Sequence, residues 1–456
     1  MGTRNTLMKW GRNLPFFGLM LLVSACTHSY STSPVNPPVP PTQQATFTST
    51  LTPEGTPTAT RSSTLSVPSD TATPLTGSST PTALGTSDFT PVPTSTWTPT
   101  WTDTAVSTPT APMSATDTPT LNVPSWKPVV DGGVLSNSSY SPFLALQGTT
   151  PYLAFSNAVV GGNATVLRFD GLNWATVGAP GFSTGGTGYN CLAFDGTTPY
   201  IAMLDSANKA SVMKFNGVSW EFVGTPSFSS GPLLSMSLAL DGSTPYVAFT
   251  DSSLYNKVTV MRFNGYNWVT VGAAGLSYDA AFDPTIAIIG TTPYLAFRDA
   301  ANGNRATMMK FNGTAWVNVG TMGFTADVAA YLSMAVNVAT PYVAFQDGAQ
   351  NGKVSVMRFN GSSWENVGAP GFSGSIVFTP FLAFDGSTPY VAYQDFDHDG
   401  KATVMRFNGV AWELVGNAGF SAAWAENTRI IMVGSTPYVA YVDDGNQSRI
   451  TVMKYE

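Results

Sequence analysis

The sequence predicts an all-β fold: a seven-bladed β-propeller of four-stranded antiparallel blades, the last blade closed by the N-terminal strand. Three observations predict it. The triplet Thr-Pro-Tyr occurs with its Tyr at 152, 200, 246, 294, 342, 390 and 438, spaced by 48, 46, 48, 48, 48 and 48 residues. A Trp recurs in the same rhythm at 126, 174, 220, 268, 316, 364 and 412. The two ends of the repeating region are complementary fragments of one unit. Repeats of this length with turn signals throughout and no helical period are the pattern of propeller blades.

Each unit resolves into four short strands. In the third, strand one is typified by Ser237-Leu238-Ala239-Leu240 and strand two by Tyr246-Val247-Ala248-Phe249. Strand three is Lys257-Val258-Thr259-Val260-Met261-Arg262-Phe263, and strand four runs through Trp268-Val269-Thr270-Val271. Asp241-Gly242 and Asn264-Gly265 accept positive φ and so suit tight β turns between strands. The final unit stops at Lys454-Tyr455-Glu456, before a fourth strand. Ser125-Trp126-Lys127-Pro128-Val129 is a fourth strand with no unit ahead of it. Pairing the two completes blade seven and removes an open sheet edge.

The chain divides into three parts. Residues 1–25 have a basic start (Arg4, Lys9, Arg12), then an apolar run from Leu14 to Val23 too short for a comfortable membrane span. That run ends in Leu22-Val23-Ser24-Ala25-Cys26, which resembles the lipobox of bacterial lipoprotein signals. The resemblance implies lipidation of Cys26 and anchoring in a membrane; with Thr27 next, it implies the outer membrane or cell surface of a bacterium. Residues 26–121 are Thr, Ser and Pro with little else, a composition that cannot build a core and reads as a disordered tether. At ~3.1 Å per residue its upper reach is roughly 300 Å. Residues 122–456 form the propeller.

Composition narrows the function. Lys plus Arg total 20 against 27 Asp plus Glu, a net charge of -7, which disfavours a nucleic-acid partner. Two cysteines and two histidines, His28 and His398, exclude four-thiolate zinc sites and sites needing several imidazoles. No Ser-His-Asp set can be drawn from one His in the folded part. The sequence therefore favours a non-catalytic cell-surface recognition module for glycan or protein. A glycan-cleaving hydrolase with carboxylates at the channel mouth, and a structural envelope scaffold, are the alternatives.

The Asp-Gly and Asn-Gly turns share one face of the ring. The opposite face carries the longer, more varied loops, and loops on a rigid scaffold usually do the binding. Candidate ligand-binding residues there are Tyr140, Tyr189, Tyr278, Asp283, Asp327, Tyr331, Trp424, Glu426 and Arg429. Arg429 aligns with Phe143, Cys191, Ser237, Thr285, Ser333 and Phe381, at the loop end of an innermost strand. The cations Arg168, Lys214, Arg262, Lys310, Arg358, Arg406 and Lys454 recur in strand three, where packed stems with paired or solvated heads are expected.

The loop after strand two opens on Asp in six units, where it should cap its own turn. One copy, Asp395-Phe396-Asp397-His398-Asp399-Gly400, resembles the start of a calcium loop. That resemblance makes Asp395, Asp397 and Asp399 candidate calcium ligands, although the twelfth position is Arg406 rather than Glu. Otherwise no cofactor is required. The unit also resembles the kelch and galactose-oxidase type of propeller, through Phe407-Asn408-Gly409 before Trp412 and the double glycine Gly161-Gly162. Copper chemistry of that kind needs imidazole ligands that this domain lacks.

Overall fold

The computed structural model describes residues 123–130, 134 and 139–456. The signal segment 1–25, Cys26 and the tether 26–121 lie outside the described residues. The rest forms seven four-stranded antiparallel sheets, six of them with strands in chain order from the inside outwards. Blades one to six are each one sequence unit. In blade seven, Ala425–Val433, Thr436–Asp443 and Arg449–Tyr455 are joined by Trp126–Pro128 as the outermost strand. Trp126 pairs with Tyr455, Lys127 with Lys454 and Pro128 with Met453. The Val129 amide extends the ladder by donating to the Val452 carbonyl at 2.8 Å. The ring closes where the sequence predicts.

The consensus residues are the joints between blades. The Trp that opens strand four donates its indole N–H to a Val carbonyl of the preceding blade: Trp220 to Val177, Trp268 to Val223, Trp316 to Val271, Trp364 to Val319, Trp412 to Val367 and Trp126 to Val415, at 2.7–2.8 Å. Each of these Val residues precedes a Gly. At Gly320, φ is 76° and an added Cβ would meet Trp364 at 2.9 Å, so the position needs both the left-handed conformation and the missing side chain. In five of these six joints the Phe that follows stacks on the same indole; beside Trp316 the position is Leu276. Phe324 lies 4.0 Å from Trp364 at 7°, and Phe420 lies 4.0 Å from Trp126 at 10°.

Small residues fill the narrow parts of the ring. Ala154, Ala202, Ala248, Ala296, Ala344, Ala392 and Ala440 of strand two are fully buried. The loop Asp also behaves as expected. Asp251, Asp299, Asp347, Asp395 and Asp443 each cap a short 3-10 turn by accepting from the amide two residues on. The second carboxylate oxygen reaches strand three, accepting from Thr307, Ser355, Thr403 or Thr451 at 2.7–3.0 Å in the last four of these.

The single 46-residue spacing has a local cause. In blade two the loop from Asp205 to Lys209 is two residues shorter than its counterparts and forms no 3-10 turn. The double glycine is likewise local. Gly161 and Gly162 both have positive φ, and so do Tyr255 with Asn256, Gly303 with Asn304 and Asp399 with Gly400 at the matching positions. The turn demands two left-handed residues, and two glycines are one way to supply them.

Candidate functional site

A β-bulge shapes the channel mouth. In six blades the innermost strand shifts register by one residue against strand two, for example between Phe282 and Thr285 and between Ala330 and Ser333. Blade two, whose inner strand begins at Asn190, lacks the shift. Five bulges hold a non-glycine residue at positive φ: Ser141, Asp283, Tyr331, Thr379 and Asn427, at 49–55°. Such conformations cost of order 1–3 kcal/mol each and cluster where a side chain must be re-aimed. Two of the five are sequence candidates, Asp283 and Tyr331.

The long-loop face brings several candidates together. The Asp283 carboxylate is buried. It accepts from the Tyr331 amide at 3.1 Å and lies 3.5 Å from the Arg298 guanidinium, which stands over the Phe282 ring. Burial pushes the Asp283 carboxyl up from its ordinary range, with Arg298 and the Tyr331 amide opposing. Tyr189, also buried, is raised mainly by burial and then by the nearby Asp283 charge.

From Tyr331 a row of rings runs across three blades. Tyr331 meets Phe378 at 5.5 Å, Phe378 meets Phe396 at 4.8 Å and Phe396 meets Trp424 at 5.0 Å, all edge-to-face. All four rings are half-buried, leaving part of each open to solvent. The row ends at Glu426, which is raised by burial and then by Asp444, against a hydrogen bond from Trp424. Arg429 is buried below, over the Phe381 ring at 4.8 Å, with its Nη1 donating to the Thr428 carbonyl. Burial lowers it to about 10.

Three candidates stand apart. Tyr140 and Tyr278 are exposed. Asp327 is exposed and turned back onto the Val328 amide at 2.8 Å. Sequence reasoning passed over Phe396, although its offset from Asp395 within the repeat places it on the same face as Trp424.

In the candidate calcium turn, Asp395 points inward. Its Oδ2 accepts from Thr403 and lies 2.9 Å from His398 Nδ1. Asp397 packs against Gly374, and Asp399 takes the left-handed position that ends the 3-10 turn. Among the described residues, no group of three or more His, Cys, Asp or Glu side chains converges as a metal cluster would.

The short-turn face carries a second kind of feature. Grooves of about 410–630 Å³ lie between neighbouring blades. Their walls hold the strand-three cation and often the Thr-Pro-Tyr ring; these two stand opposite each other in the sheet, as Tyr246 does with Arg262 and Tyr294 with Lys310. Some cation heads are paired as expected: Lys214 with Glu221, Arg358 with Glu365, Arg406 with Glu413 and Lys454 with Glu456, at 2.7–3.4 Å. These paired and solvated heads, on packed stems as expected, lie along open clefts.

Fold and site together define a closed propeller with one aromatic-rimmed face and one grooved face. No protein-family model and no curated protein matches the chain. Solved structures that it resembles include AofleA from Arthrobotrys oligospora, at 16% identity over 64% of this chain and 88% of that one, with a TM-score of 0.44. The fucose-specific lectin from Aleuria aurantia gives 14%, 64%, 99% and 0.41 in the same terms. A protein of unknown function from Dyadobacter fermentans gives 12%, 73%, 99% and 0.43. Likenesses this distant carry no argument about what this chain binds.

Proposed function

We propose that the chain is a non-catalytic recognition module that binds glycan through its long-loop face. It is held at a bacterial cell surface by lipid on Cys26 and raised on the 26–121 tether. The observation that carries this reading is the row Tyr331, Phe378, Phe396 and Trp424. Half-exposed rings on a rigid rim, with a carboxylate at one end, offer apolar faces for sugar rings and acceptors for hydroxyls. Of the carboxylates the hydrolase alternative would use, Asp283 is engaged by Arg298 and the Tyr331 amide and Asp327 by the Val328 amide, which leaves Glu426 without the second free carboxylate that glycoside hydrolysis needs.

A glycan array probed with the mature protein tests the proposal. Binding to a defined set of sugars, weakened at least tenfold by Trp424→Ala, is expected; no binding across a broad array overturns it. Repeating the array with and without a calcium chelator tests the Asp395, Asp397 and Asp399 turn. Loss of binding on chelation supports a bound ion there, and unchanged binding removes it. Metabolic labelling with a fatty acid, lost on Cys26→Ser, checks the anchor.

A further inference from the structure

The grooves of the short-turn face are alike in shape but not in charge. The residue opposite the strand-three cation, at the centre of strand four, decides the difference. It is Glu221, Glu365 and Glu413 against Lys214, Arg358 and Arg406. It is Val269 against Arg262 and Val317 against Lys310. In the described residues neither Arg262 nor Lys310 pairs with a carboxylate, whereas every other pair of neighbouring strand-three cations includes at least one that does. Blades three and four are adjacent, so both unneutralised cations open into one groove of about 630 Å³. Tyr246 and Tyr294 wall it, and Thr292 and Asn312 add neutral polar groups.

We infer that the groove between blades three and four binds the acidic group, carboxylate or sulfate, of a charged sugar. Two cations without a carboxylate partner among the described residues, on a chain of net charge -7, make this groove a local positive well. Arg262 can meet an oxyanion with two parallel N–H bonds and Lys310 with a compact charge. The half-buried Tyr294 supplies a ring surface of the kind sugars stack on, while Tyr246 is buried in the wall. The volume lies in the range of small-ligand sites, about 300–1,000 Å³. The choice of a sugar as carrier rests on the glycan reading above; the charge preference rests on the groove alone.

The test is calorimetric titration of the mature protein with trigalacturonate, its methyl ester and a sulfated heparin tetrasaccharide. One or both acidic probes should bind at a single site, more weakly as salt rises, and the ester should not bind measurably. Arg262→Ala with Lys310→Ala should weaken binding more than tenfold. Val269→Glu with Val317→Glu keeps both cations and supplies the partners found in blades two, five and six; it should cause a similar loss. Failure of both acidic probes, equal binding of acid and ester, or binding unchanged in the two double variants overturns the inference. Array binding that depends on Trp424 should persist in both double variants, so the two proposals fail separately.

Discussion

Glu426 sits where the fold works against its charge. Burial, then Asp444, raises its carboxyl above the ordinary value of 4.5. The folded chain therefore binds this proton more readily than the unfolded chain does. Stability falls as pH rises through the window between 4.5 and the folded value, and is regained below it. Glu426→Gln should raise Tm at about pH 7 and leave it unchanged at about pH 3, as read by thermal melts at the two pH values. A rise at both would assign the effect to packing. Thr403 gives the opposite case. Its hydroxyl donates to Asp395 and accepts from the Gly419 amide, both at 2.8 Å, so Thr403→Val strands one buried and one half-buried partner. A loss of about 1–3 kcal/mol by urea denaturation is expected. At this scale the sequence was partly readable. The capping Asp and the nearness of Trp424 and Glu426 followed from spacing alone. The bulge that turns Asp283 and Tyr331 did not, because it arises from how the inner strand meets strand two, and one extra residue leaves no mark in composition.

The unit repeats because each of its marked residues serves the next blade as well as its own. Val gives its carbonyl to a neighbouring indole, Gly clears room for that indole, and Phe, or Leu276 beside Trp316, covers it. Trp364→Phe should lose one hydrogen bond and part of a stacked pair, costing about 1–2 kcal/mol. Trp174 follows the fourth strand drawn from the other end of the chain, and among the described residues its buried indole N–H has no hydrogen-bond partner. Trp174→Phe should therefore cost less than Trp364→Phe, a comparison that urea denaturation of the two variants decides. Strands and tight turns were legible at this scale, since Asp-Gly, Asn-Gly and alternating Val and Ala state them directly. The grooves were not, although their signal was present: Glu follows the strand-four Trp in three units and is replaced by Val in two. A repeated cation with a paired or solvated head does not reveal a groove until the neighbouring blade is in place beside it.

Ring closure belongs to the whole molecule. Trp126 donates to Val415, stacks on Phe420 and tilts against Tyr455 at 5.5 Å, so one side chain holds the seam on both sides. Trp126→Ala should cost about 3–5 kcal/mol, as large aromatic truncations do. If the ring melts as one body, calorimetry should show the whole transition moving down together. An early, separate transition from blade seven alone would mean that the blades behave as a linear array. Closure was the most legible feature of all, because the missing strand at one end and the spare strand at the other are visible without any structure.

The same seam has a mechanical consequence. The closing strand is only three residues long, and its N-terminal neighbour Ser125 is bonded to Glu456 through both backbone groups, at 2.9 and 3.2 Å. Tension reaching the propeller along the chain from its N-terminus enters at that point. The load falls first on a handful of ladder bonds at the rim, which would act as a fuse, peeling before the six remaining sheets are strained.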